Sequence, residues 1–483
     1  MHTGIHPTMP GKNDITRRQA ALAAGALLSG GRLRATAWEH IEKIEPQGML
    51  IRDSTIAGEK RSDDAFPAHP NGIPVSRNRW LLVYATRGFR GVDDDLSILY
   101  QLRAGAPDGR LIKEGAFVRT QNDWDPLGNG HTYVKQHGHP VAFGVPRGAL
   151  VGGKPAPSAN VFVVKWRKVA RALDRAKNYL LHSTADPNVA RRTQSVEWVQ
   201  FRLNDHENDI EILRPASKLR QKGYESGPKF CAADVDNINQ SFVQAVPFNR
   251  EATEWADCDH FDDGRVACLK YTFNPKSGVY EWTAMGPLLR GGGKSIGEAS
   301  LARWKGDFII AARGGTGSGV TWFRTSDPFG SAPSPVFPDG PRTNVPLTAF
   351  TWEDGVLRLF TGDATVSPYK NGRDPLYCWE IDPDHGFAAS NRRVIFDSVA
   401  AKLPIRRESG PKVDMCKLLP GQGKTQIIAY RVSVRAFNHP YEGSGGIVSS
   451  IPLANAAEKA ACGIYYSKVT YAEAYSPAWE FAR

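Results

Sequence analysis

From residue 78 onward the chain is a succession of short apolar runs, many of them four to eight residues long, rich in Val, Ile, Tyr and Trp and bounded by Gly, Asp, Asn or Pro. RWLLVYATR, DLSILYQLR, ANVFVVKWRKV, SVEWVQFRL, RVACLKYTF, GVYEWTAMG, LARWKGDFIIAAR, GVLRLFTG, PLYCWEI, TQIIAYRV and GIYYSKVTY all have this form. β-branched and aromatic side chains suit a pleated surface and the flanking residues suit turns, so the runs predict strands. A helical period is convincing only over VARALDRAKNYLLHS, 169–183, and even there a strand could run into it. At roughly one four-stranded sheet per 60 to 70 residues, the pattern predicts an all-β chain folded as a six-bladed β-propeller, with paired β-sandwiches as the rival. The 483 residues, 41% hydrophobic and 10% aromatic, supply ample core, and 47 Gly with 33 Pro fit many turns. Residues 38–77 are rich in Asp, Pro and Arg and are expected to lead into the first blade.

The 61 basic residues outnumber the 50 acidic ones, for a net charge of +11, so the surrounding field draws anions such as acidic glycans or nucleic acid. No basic run is interleaved with aromatics as a nucleic-acid groove requires, so nucleic acid is not an expected partner. Near the N-terminus, ITRRQAALAAGALLSGGRLRATA holds Arg17-Arg18, an apolar stretch over 20–28 and the small residues Ala35-Thr36-Ala37. It resembles a twin-arginine export signal, with residues 1–37 as the signal and 38–483 as a single propeller domain, periplasmic or secreted. The apolar stretch is too short to span a bilayer and no later segment is apolar enough to anchor the chain. The oligomeric state is not legible. Six cysteines, at 231, 258, 268, 378, 416 and 462, match no metal framework; Cys258 and Cys268 flank a turn and either pair across it or stay as buried thiols.

One stretch carries the chemistry. In KSIGEASLARWKGDFIIAARGG an acid, Glu298, opens one strand and Arg313 closes the next, followed by VTWFRTSD. This resembles the sialidase superfamily of β-propeller glycoside hydrolases, in which a Glu in an E-x-S context is followed by an Arg that grips the substrate carboxylate. RTSDPFG, 324–330, resembles a degraded Asp-box turn of those propellers. SPYKNGRDPLYCWEIDP resembles the region of the third arginine, which implies Arg373. AHPNGIPVSRNRWLLVYATRGFRGVDDDLSILYQLR resembles the first blade and implies Asp94 as acid/base, with Asp93 and Asp95 beside it. The same register departs from the family by putting His69 at the first arginine. GHTYVKQHGHPVAFG places His139, with His137 beside it, where the family lines a pocket for the acyl substituent. ESGPKVDMCKLLPGQGKTQIIAYRV puts Lys412 where the nucleophilic tyrosine belongs.

The resemblance implies an exo-glycosidase acting on a terminal acidic sugar, with no cofactor and an acidic glycan as partner. Glycoside cleavage needs a proton donor and a second group that attacks or activates water. Asp94 suits the donor because neighbouring carboxyls favour its protonated form, and Glu298 suits the second role. Without the tyrosine, Glu298 activates water directly, or Tyr369, Tyr430 or Tyr441 fills the gap. Arg313 and Arg373 suit bidentate carboxylate binding, with Lys412 adding a point charge and His69 a weaker one. Two alternatives share these residues. A polysaccharide lyase would use His137 or His139 with Tyr133 for proton transfer, and a binding module would keep the carboxylate grip without turnover. At i, i+2 on a strand, His137 and His139 would face the same way, but no third metal ligand follows.

Overall fold

The computed structural model describes residues 41–51, 65–88, 95–119, 121–124, 132–174, 179–180, 194–222, 238–241, 245–261, 264–314, 319–343, 348–351, 356–369, 372–406, 411–419, 423–434, 455–475 and 479–481. All of them lie in one compact unit, His40–Arg483. Strand β1 (Ile41–Ile51) is the first of the described strands. Blade 1 is the meander β2 (Ala65–Ser76), β3 (Arg79–Gly88), β4 (Asp95–Ala104) and β5 (Leu111–Val118). Blade 2 begins with β6 (Gln121–Trp124) and β7 (Thr132–Val145), after which β8 (Ala149–Val151) and β9 (Lys154–Pro155) form a small hairpin. It continues through β10 (Val161–Asp174), the short β11 (Tyr179–Leu180), β12 (Gln194–Leu203) and β13 (Ile210–Lys218). Blade 3 comprises β14 (Ile238–Ser241), β15 (Val246–Pro247), β16 (Glu254–Phe261), β17 (Val266–Asn274) and β18 (Val279–Met285). Blade 4 is β19 (Ile296–Trp304), β20 (Asp307–Gly314) and β21 (Val320–Thr325). Blade 5 is β22 (Thr348–Thr351), β23 (Leu357–Thr361), β24 (Leu376–Asp382) and β25 (Ala388–Phe396). Blade 6 is β26 (Lys412–Leu419), β27 (Gly423–Ser433), β28 (Gly463–Tyr475) and, as its outer strand, β1. Strand β29 (Glu480–Phe481) pairs with β8.

The strand pairings within the blades are antiparallel, and the core lies between blades. Val163 of β10 packs with Trp255 and Tyr271 of blade 3, whereas its neighbours Phe162 and Val164 pack with Leu81 and Val83 of blade 1. Ile310 of β20 likewise meets Ala256 and Cys258 of blade 3, and Ile309 meets Leu357 and Leu359 of blade 5. Successive side chains point to opposite faces of a strand, so a sheet with a neighbour on each face buries consecutive residues. That is why the strand runs are continuously apolar. Leu50 and Ile51 of β1, Trp80 and Leu82 of blade 1, and Ile427 and Ile464 of blade 6 form one cluster, which closes the ring. The fold is an all-β, six-bladed propeller.

One sequence expectation is corrected, and two readings that the sequence left open are decided. Over the described part of 169–183 the strand alternative holds: β10 runs on to Asp174, and Tyr179–Leu180 pairs back with it. Residues 41–51 complete the sixth blade instead of leading into the first, because pairing with β28 covers a strand edge that would otherwise stay open. Among the described residues, Cys258, Cys268, Cys378, Cys416 and Cys462 are buried free thiols, although Cys258 and Cys268 are register partners on β16 and β17. In the turn after β21, Asp327 Oδ1 accepts from the Phe329 N–H at 2.9 Å and Thr325 Oγ1 donates to the Asp327 carbonyl at 2.9 Å.

Candidate functional site

Four first strands carry the same irregularity. In β2 three residue steps from Ala68 to Asn71 face two steps of β3, and in β7 three steps from Gly138 to Val141 face two of β10. In β19 two steps from Gly297 to Ala299 face one of β20, and in β26 three from Asp414 to Lys417 face two of β27. Each is a β-bulge with one extra residue. Each holds a non-glycine residue with positive φ: His69 at 52°, His139 at 54°, Glu298 at 42° and Met415 at 53°. The left-handed conformation costs a residue with a Cβ about 1–2 kcal/mol, and bulges re-aim side chains. Such strain concentrates where function over-determines the backbone.

Beside three of these bulges, the strand that pairs with the bulged one contributes an arginine. Arg167 on β10 is opposite Gly138, Arg313 on β20 is opposite Gly297, and Arg431 on β27 is opposite Asp414. In blade 3 the place near the end of the second strand belongs to His260. These residues form two linked clusters.

In the first cluster, Asp414 of β26 is buried and holds two guanidinium groups. Arg431 donates from Nε to Asp414 Oδ1 at 2.7 Å and from Nη2 to Oδ2 at 2.7 Å, and Arg373 donates from Nη1 to Oδ2 at 2.8 Å. Burial alone would raise the Asp414 pKa, but Arg431, Arg373 and the nearby Lys412 hold it well below the usual carboxylate range. Arg431 also reaches His69, with Nη1 2.9 Å from Nε2. His69 stacks on His139, ring centroids 3.9 Å apart and 21° from parallel. The Val413 N–H donates to the Arg373 carbonyl at 3.0 Å, so the loop before β24 is docked on β26 by its backbone as well.

The second cluster surrounds Glu298. Its Oε2 lies 2.5 Å from Arg313 Nε, and its backbone N–H donates to His260 Nδ1 at 3.0 Å. The latter bond requires His260 to be neutral and unprotonated at Nδ1. Burial, and then Arg313, Arg167 and His139, push the His260 pKa down to about 3. His139 thus bears on both clusters: it stacks on His69 and acts electrostatically on His260.

The structure brings His69, His139, Glu298, Arg313, Arg373 and Lys412 into these clusters. Asp94, with Asp93, lies outside the described residues, and so do Tyr441 and the side chains of Asp95 and Tyr133. His137 and His139 do not act as a pair, because the bulge breaks the two-residue period between them. His137 Nε2 is 3.9 Å from Glu197 Oε2 on β12, whereas His139 stacks on His69. Among the described residues, no group of three His, Cys, Asp or Glu is placed to hold a metal. Tyr430 is core: its hydroxyl is 2.9 Å from Ser467 Oγ, its ring packs on Phe396, and it points to the opposite face of β27 from Arg431. It is therefore not available as a nucleophile. Tyr369 is buried in the loop ahead of Arg373.

Sequence reasoning missed Arg167, Asp414, Arg431 and His260. A signal for the arginines was present, since VVKWR, IIAAR and IIAYR each close a short apolar run on Arg. YATR of β3 has the same form, with Arg87 at its end.

No protein-family model matches the sequence, and no curated protein matches it. Among solved structures the chain is similar to a protein of unknown function from Dyadobacter fermentans, with a TM-score of 0.50 and 11% identity over 89% of this chain and 100% of that one. It is also similar to Trypanosoma rangeli sialidase in complex with sialic acid, with a TM-score of 0.49 and 11% identity over 88% of this chain and 58% of that one. The NanB sialidase from Streptococcus pneumoniae aligns at a TM-score of 0.43 and 10% identity over 89% of this chain and 70% of that one. The chain therefore spans less than two thirds of the Trypanosoma rangeli structure. At these identities the likeness is one of fold.

Proposed function

We propose that this propeller is a glycoside hydrolase that releases a terminal acidic sugar, of the sialic, other ulosonic or uronic class, from a glycan. The observation that carries the proposal is the strained Glu298 carboxylate held by Arg313 beside a strongly cationic set of side chains. Arg313 pairs with Glu298, Arg373 and Arg431 hold Asp414, and Arg167 and Lys412 add positive charge beside them. That set stabilises a bound carboxylate.

In this reading Glu298 is the group that activates water or a nucleophile, and Arg313 and Arg373 grip the sugar carboxylate, with Arg431 and Lys412 adding positive potential. Asp414 fixes the two guanidinium forks of Arg373 and Arg431, so little side-chain entropy remains to be lost when substrate binds. His260 positions Glu298 through the main-chain bond to its N–H. His69 and His139 form a flat wall. Asp94 remains the proposed proton donor. The chain is proposed to be exported through its twin-arginine segment and to act as a single domain over 38–483.

The test is release of 4-methylumbelliferone from its Neu5Ac, KDN and glucuronic acid conjugates, in the wild type and in Glu298→Gln. Turnover of one conjugate is expected, with kcat lowered about 10²- to 10⁴-fold in the variant. Equal rates for the two proteins exclude Glu298 from the chemistry. A uronate glycan product that absorbs in the ultraviolet through a new conjugated double bond identifies a lyase instead. Binding of acidic glycans without turnover identifies a binding module.

A further inference from the structure

Phe337 is 50% exposed, the one aromatic residue among the described large hydrophobics that face solvent. It lines a cavity of about 550 Å³ together with Lys294, Val320, Thr321, Asp339 and Arg342. A volume of this size suits a small ligand such as a sugar. The cavity sits on the same blade, and at the same end of it, as the Glu298–Arg313 pair. Gly314, the residue after Arg313, is part of its wall, Val320 is the register partner of Arg313, and Lys294 precedes Glu298 by four residues. Adjacent strands lie about 5 Å apart, so the cavity begins within about one sugar ring of Arg313.

Its chemistry is specific. Among the described residues, neither Lys294 nor Arg342 forms a salt bridge; the Lys294 ammonium instead lies over the Phe337 ring at 5.6 Å from its centroid. Gly292 makes room for that ring, since a Cβ there would come within 3.0 Å of it, and its φ of 57° suits glycine. An exposed aromatic ring offers a surface for the apolar face of a sugar, two cations without carboxylate partners offer an anion site, and Asp339 accepts from hydroxyls. We infer that this cavity is a second subsite that takes an acidic sugar, the residue next to the terminal one, so that the glycan carries acidic groups on consecutive sugars. The inference rests on the proposed function for what occupies the first site, but not for its own binding chemistry.

Binding is therefore measured without turnover, by isothermal titration of the wild type, Phe337→Ala and the double variant Lys294→Ala/Arg342→Ala. The probes are α2,8-linked disialic acid and digalacturonic acid, each with two acidic sugars, and 3′-sialyllactose, with one. The wild type is expected to prefer a two-acid probe over 3′-sialyllactose by about tenfold or more, as one charge-assisted contact supplies. The double variant is expected to abolish that preference, and Phe337→Ala to weaken two-acid binding about tenfold. No preference in the wild type, an unchanged preference in the double variant, or no binding of either two-acid probe overturns the inference. Two-acid binding that depends on Lys294 and Arg342, in a protein that hydrolyses nothing, upholds this subsite while the hydrolase reading fails.

Discussion

His260 shows how a single buried side chain sets a pH limit. Its folded pKa of about 3 lies below the ordinary value of 6.5, so the unfolded chain takes up a proton that the folded one refuses. Below pH 6.5 stability therefore falls as pH falls, by up to about 1.4 kcal/mol per pH unit, until the folded ring is itself protonated near pH 3. The groups that hold it neutral are its own burial, Arg313 and Arg167, with His139 beside it. Chemical denaturation between pH 4 and 7 is expected to show this slope in the wild type and a shallower one in His260→Gln. Equal slopes would rule out the assignment. At this scale the sequence was partly legible. Glu298 and Arg313 stand out as a spaced pair, whereas Asp414 in KVDMC means nothing until Arg431 is placed opposite it on the neighbouring strand.

Strands and their interfaces explain what periodicity could not. A bulge costs the chain only one extra residue, and no composition rule marks it, so the alternation expected for His137 and His139 fails at the point where it matters. The interface between β10 and β16 holds a second feature invisible in the runs. Lys165 is buried with its Nζ 2.6 Å from Asp257 Oδ2, 2.9 Å from Asp259 Oδ2 and 3.0 Å from the Tyr271 hydroxyl. One ammonium thus bridges two carboxylates across blades 2 and 3. Replacing Lys165 with Met leaves both acids buried without their cation, and a loss of about 3–5 kcal/mol in unfolding free energy is expected. Urea titration checks this, and a change under about 1 kcal/mol would mean that the acids had already been neutralised by other means. In VFVVKWRKV the lysine reads as an ordinary strand residue, because its partners come from a segment ninety residues away.

At the scale of the whole molecule, the first described strand forms the outer edge of the last blade. β1 pairs with β28 over most of its length and buries Ile41, Leu50 and Ile51, the last two in the cluster shared by blades 6 and 1. Burying three such side chains contributes on the order of 5 kcal/mol or more, a large part of a typical domain's net stability. Deleting residues 41–51 also opens the edge of β28 to pairing with other chains. The expected outcome is a broad, non-cooperative melt and self-association on gel filtration. A monomer melting within about 2 °C of the intact protein would show that closure contributes little.

The sequence by itself determined the all-β class and the approximate number of blades, and through a family resemblance it pointed to Glu298 and Arg313 as the centre of the proposed chemistry. Those properties are local: strand propensity, turn residues and the spacing of Glu298 from Arg313 are written within a few dozen positions. Only the tertiary structure decided which strand closes the ring, where the first strands bulge, and that Asp414 joins Arg373 to Arg431 and, through it, to His69. Each of those outcomes depends on pairing between segments tens to hundreds of residues apart. Such pairing is set by which buried faces and charges fit one another in space, and a one-dimensional pattern does not hold that information.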